Sequence, residues 1–97
     1  MSERPSEANY LAECFWPDLH ESSVGEAAER IRQSAAELTR AGTGVALTGT
    51  ILVPGDEVVF YLFDGDSADV VREACERARV PFERVVESVS TLTGPEA

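Results

Sequence analysis

Residues 9–16, Asn-Tyr-Leu-Ala-Glu-Cys-Phe-Trp, are aromatic-rich and apolar at nearly every position, which predicts a strand ended by Pro17. The period then changes. Val24, Ala27, Ala28, Ile31, Ala35 and Leu38 recur at the three-to-four spacing of one helical face. Ser23 and Glu26 are spaced as a capping box at its start, and Gly42 stands where a helix of this length needs a C-terminal cap. Glu26 and Arg30, four apart on the wet side, are expected to pair. Residues 43–53 return to strand-forming Val, Leu, Ile and Thr, with Gly49 inside the run as a bulge or a close backbone approach. Pro54-Gly55-Asp56 is a turn, and 57–64 is a third strand, so the second and third strands form a hairpin. Asp66 or Ser67 caps a second helix over 68–79, Val80-Pro81 stops it, and 82–90 is a fourth strand. Residues 1–8 and 91–97 read as tails, leaving one domain over 9–90.

Strand, helix, strand, strand, helix, strand is the split βαβ arrangement of the ferredoxin-like α+β fold. Right-handed crossovers place the strands in the antiparallel order 4-1-3-2 with both helices on one face. A sheet covered on one side should alternate apolar and polar residues. The two central strands do not. Val58, Phe60 and Leu62 point one way and Val59, Tyr61 and Phe63 the other; Tyr10, Ala12, Cys14 and Trp16 oppose Leu11, Glu13 and Phe15. The helices can cover only one of these faces. The expected cover for the second is another copy of the chain, sheet against sheet, around a shared space.

Charge narrows the partners. Eighteen acids against eight bases give a net charge of −10, which opposes binding to nucleic acid and to anionic membranes. The longest apolar run, Val58–Phe63, is far too short to span a bilayer, and the first residues are not a signal peptide. A cytoplasmic location follows as an expectation, with Cys14 and Cys75 as core thiols. The chain has no lysine and a single histidine, which excludes Schiff-base chemistry and any two-histidine metal motif within one copy. Asp64-Gly65-Asp66-Ser67-Ala68-Asp69 fails as a calcium loop, because Asp69 replaces the turn glycine and Cys75 the bidentate glutamate.

The run Tyr10-Leu11-Ala12-Glu13-Cys14-Phe15-Trp16-Pro17 resembles the opening strand of a family of ferredoxin-like nickel-binding proteins. Phe60-Tyr61-Leu62-Phe63, Ser67, Val71-Arg72-Glu73-Ala74, Ala78 and Val80-Pro81-Phe82-Glu83-Arg84-Val85-Val86 resemble its second half. This resemblance implies a dimeric α+β barrel and, as cofactor, nickel or another divalent metal. None of the family's metal ligands is matched to a residue of this chain.

Glu13 is the sharpest candidate for chemistry. A carboxylate between Leu11 and Phe15 on a central strand has its charged form disfavoured unless paired, which suits a general acid or base. Tyr61, on the neighbouring strand, is the candidate to orient a ligand oxygen beside it, and His20, between Asp18 and Glu21, is a candidate catalyst or metal ligand. Phe15, Trp16, Phe63 and the hydroxyl of Thr48 are the candidate ligand contacts. Three readings follow: a dimer binding a small ligand or metal ion between its sheets, a cofactor-independent cyclase, isomerase or monooxygenase acting on a small apolar substrate, and a protein-interaction module.

Overall fold

A computed structural model describes residues 8–89 of the chain. The expected tails lie outside the described residues, except that Ala8 opens the first strand. The elements are β1 (Ala8–Phe15), α1 (Glu21–Arg40), β2 (Val45–Val53), a short 3-10 turn (Pro54–Asp56), β3 (Val58–Gly65), α2 (Ala68–Arg77) and β4 (Arg84–Ser88). All pairings are antiparallel and the sheet order is β2-β3-β1-β4, the ferredoxin-like topology read from the element order.

One core lies between the sheet and the two helices. Ala12, Cys14, Val59, Tyr61, Phe63 and Val85 enter it from the sheet, and Val24, Ala27, Ile31, Leu38, Val71 and Ala74 meet them from the helices. The small side chains of Ala12 and Cys14 let the helices approach the centre of the sheet. The first helical stripe is buried as its spacing predicts.

The start of α1 departs from expectation. The helix begins at Glu21 with His20 as N-cap, and no side chain caps it, so the Ser23–Glu26 box does not form. Entry is set by a different device. Asp18 adopts a left-handed backbone (φ 55°), and its N–H donates to Glu57 Oε2 at 2.9 Å. Leu19, just before the cap, packs on the core that holds Val24, the spacing of a hydrophobic staple. At the other end Gly42 takes a φ of 104°, outside the range a side chain tolerates well, and its N–H closes on the Thr39 carbonyl at 3.0 Å.

The second helix is capped as one of the two alternatives expected. Ser67 Oγ accepts from the Val70 N–H at 3.3 Å, while the Asp66 carboxylate instead takes the Gly44 N–H at 3.0 Å. Ser67→Ala is therefore expected to lower stability by about 1 kcal/mol, whereas Ser23→Ala, inside the first turn of α1, should change it by less than about 0.5 kcal/mol. Thermal melts of the two variants side by side check this, and equal losses would show the cap assignments to be wrong.

Gly49 is accounted for by a bulge. The register between β2 and β3 slips between Leu47 and Gly49, leaving Thr48 without a partner. Before the slip Val45 and Leu47 face the helices; after it Thr50 and Leu52 do, opposite Tyr61 and Val59.

Candidate functional site

Strand register fixes what the uncovered face of the sheet displays. Cross-strand partners share a face. One row runs Ile51, Phe60, Glu13, Arg84; the next runs Gly49, Leu62, Leu11, Val86; Val53, Val58 and Phe15 form a row beyond the first. Among the described residues no helix or loop crosses these rows. Phe15 is 55% exposed and Ile51 50%, with Leu11, Val58, Phe60, Leu62 and Val86 half-buried by their neighbours. Beside Leu11 and Leu62 the surface turns polar, with Asn9, Thr48 and Ser88 around a depression of about 120 Å³.

Glu13 lies in the middle of this face, and it is not alone. Its Oε1 accepts from Arg84 Nε at 2.6 Å across the β1–β4 pair. The expected isolated carboxylate is thus one half of an ion pair, and the role of base loses its physical ground. Register decides this, and no spacing in the sequence reveals it.

Tyr61 is the second correction. It stands on the opposite face from Glu13, fully buried under α1, where its hydroxyl donates to the Val24 carbonyl at 3.1 Å. Burial, reinforced by Cys14 and opposed by Arg30, pushes its phenol above the usual range. It cannot orient an oxygen beside Glu13. Phe63 shares that buried face at 1% exposure and borders only the small depression beside Leu62 and Thr48. His20 sits at the exposed start of α1, where its carbonyl accepts from the Val24 N–H at 3.1 Å. The enzymatic constellation of Glu13, Tyr61 and His20 is therefore spread over two faces and a helix end.

The remaining candidates are accessible. Thr48 is exposed at the bulge, with its hydroxyl on the Leu62 carbonyl at 3.2 Å. Trp16 half-packs on the core and, with Phe15, walls a cleft at the end of β1. Among the described residues, no group of three or more His, Cys, Asp or Glu side chains converges to hold a metal ion.

Both cysteines are buried and unbridged. Burial pushes Cys14 from the usual 9.0 to about 12, with Glu83 and Glu13 adding to the shift. Burial does the same to Cys75, also to about 12, helped by Cys14 and Glu76. A thiol-reactive disulfide at pH 8 should leave both unlabelled in the folded protein and label both in urea. The unfolded chain sheds these protons near pH 9 and the folded chain only near 12, so stability should fall as pH rises through that window. Rapid labelling at pH 8 without denaturant would contradict the buried placement.

Among solved structures the chain resembles SCO4226 from Streptomyces coelicolor A3(2), known from a crystal structure analysis. The TM-score is 0.67 over 88% of this chain and 100% of that one, at 16% identity. At that identity the likeness establishes the fold and nothing finer. No protein-family model matches the sequence, and no curated protein matches it. No helix among the described residues is long and apolar enough to cross a membrane.

Proposed function

We propose that the protein is a homodimer joined through the uncovered sheet faces, which enclose a space for a small, mainly apolar ligand. One observation carries this reading: Leu11, Phe15, Ile51, Val58, Phe60, Leu62 and Val86 form a continuous apolar surface in register, with nothing of the described chain over it. Exposed apolar surface of this extent favours association. Four strands at ~4.8 Å spacing and about seven residues at ~3.3 Å each cover roughly 450 Å² in plan. With side-chain relief, two such faces bury on the order of 1,200–1,600 Å², the size of a stable interface.

The charge distribution supports a second copy of the chain as the cover. The acids of both helices lie on the far side of the sheet, so the joining faces meet without bringing those charges together. Within the enclosed space the Glu13–Arg84 pair supplies the polar anchor of an otherwise apolar site. Nickel or another divalent metal is the alternative occupant. It would need ligands from both copies, because one chain assembles no such group among its described residues.

Sedimentation velocity at micromolar concentration tests the assembly, and native mass spectrometry with and without nickel tests the occupant. A dimer that retains an apolar molecule supports the reading. A monomer at these concentrations overturns it, and stoichiometric nickel in the dimer would replace the apolar ligand with the metal.

A further inference from the structure

The cleft at the end of β1 shares Phe15 with the sheet rows but is otherwise built from residues beyond them. Phe15, Trp16, Pro17 and Pro81 wall a space of about 270 Å³, and Arg30 and Arg79 line it. In a chain with 18 acids and eight bases, no carboxylate is among its lining residues.

Arg30 does not pair with Glu26 as its spacing suggests. Its Nε donates instead to the Ala78 carbonyl at 3.0 Å, reaching from α1 to the end of α2. That bond holds the guanidinium in place and leaves its terminal amino groups with no protein acceptor among the described residues. Neither Arg30 nor Arg79 has a salt-bridge partner among the described residues.

Arg79 adds an independent observation. It follows the last turn of α2 in a left-handed conformation, φ 59°, where glycine is the favoured residue. The turn is closed by backbone alone: the Arg79 N–H reaches the Glu76 carbonyl at 3.0 Å, and the Val80 N–H reaches that of Cys75 at 2.9 Å. Glu57, also left-handed, uses its side chain to hold the Asp18 N–H. The Arg79 side chain makes no hydrogen bond among the described residues, so beyond the favourable charge it brings to the C-terminal end of α2, an arginine here strains the backbone without making a contact in return. Strain kept in this way points to a use for the side chain.

We infer that this cleft binds a small organic carboxylate, its charge held between Arg30 and Arg79 and its flat apolar body against Trp16. A guanidinium offers a carboxylate two parallel charge-assisted hydrogen bonds, and the aromatic and proline walls take the body out of water. The volume suits about ten heavy atoms, the small end of ligand sites. Acids more than ~8 Å away are screened by salt. Nearer ones, Asp18 and Glu57 beside Pro17 and Glu37 on the far side of the arginines, stand outside the lining, where the two arginines are the charges in contact range.

Trp16 is the single tryptophan, so its emission reports on this cleft directly. Titration of the full chain with phenylacetate, its neutral isostere phenylacetamide, and inorganic phosphate tests the assignment. Phenylacetate should change the emission saturably, with phenylacetamide and phosphate each at least tenfold weaker. Arg79→Gly should bind phenylacetate at least tenfold more weakly while melting no lower than the parent, since glycine relieves the turn. Arg30→Gln should show a similar binding loss. No saturable response up to 10 mM, equal affinity for the amide, or unchanged affinity in Arg79→Gly overturns the site. Phosphate binding tighter than phenylacetate overturns the apolar body, and a lower melting temperature for Arg79→Gly overturns the argument that this arginine serves the cleft. None of these outcomes bears on the dimer, which sedimentation reads separately.

Discussion

Phe60→Glu is expected to turn the dimer into a folded monomer. Phe60 sits on the central strand β3 in the row between Ile51 and Glu13, on the face with no cover among the described residues. In a lone chain its replacement by a charged residue would be harmless, because the position meets water. Between two sheets it would bury an unpaired carboxylate in each copy, at a cost of about 3–5 kcal/mol each. Even half of the total, about 3–5 kcal/mol, weakens association by at least about a hundredfold. Light scattering after gel filtration, with circular dichroism to establish folding, reads the result. A Phe60→Glu variant that stays dimeric would place the interface elsewhere.

Phe63→Ala is expected to have the largest effect on stability. Phe63 follows Phe60 by three positions and so stands on the other face, at 1% exposure among core side chains. Truncation leaves a cavity in a packed layer and costs about 3–5 kcal/mol. A domain of this size has a total of about 5–15 kcal/mol, so roughly a fifth or more of its stability should go. Phe15→Ala, at a position 55% exposed in the single chain, should cost well under half as much when both changes are made in the monomeric Phe60→Glu protein. Urea denaturation of the two variants measures both. Similar losses would contradict the assignment of faces.

The contrast between these residues shows what could be read from the chain. Element order and the helical stripes were legible because burial imposes a period, and the strand order followed from the handedness of crossovers. Which face of β3 lies under the helices was not legible, since Val58, Phe60 and Leu62 are as apolar as Val59, Tyr61 and Phe63. A weak signal existed. Glu13 shares its face with Leu11 and Phe15, and a carboxylate belongs away from the helices, which leaves Ala12 and Cys14 beneath them. Because antiparallel neighbours share faces, Tyr61 then goes with Ala12 and away from Glu13.

Partners distant in sequence were the other blind spot. The pairing of Glu13 with Arg84 spans 71 positions, and that of Arg30 with the Ala78 carbonyl 48. Local spacing offered Arg30 a nearer acid in Glu26, and the fold took it elsewhere. The start of α1 failed for a related reason. Leu19 packing on the core set the entry of the helix, so a capping motif that looked complete in the sequence was left inside the first turn.

The unpaired Thr48 has a consequence for how the gene can change. Helix-facing positions in β2 occupy odd numbers up to Leu47 and even numbers from Thr50 onward, and the extra residue between them reconciles the two halves. Loss of the Thr48 codon would leave Leu47, Gly49 and Thr50 in unbroken alternation opposite Phe63, Leu62 and Tyr61, whereas a codon lost elsewhere in β2 would turn part of the strand over, since side chains alternate faces along a strand. An outer strand is ordinarily where a sheet tolerates insertions and deletions best. Here the bulge is the one place where β2 can shorten without turning a side chain over, and drift in this lineage is expected to change the strand's length at Thr48 and by substitution alone elsewhere within it.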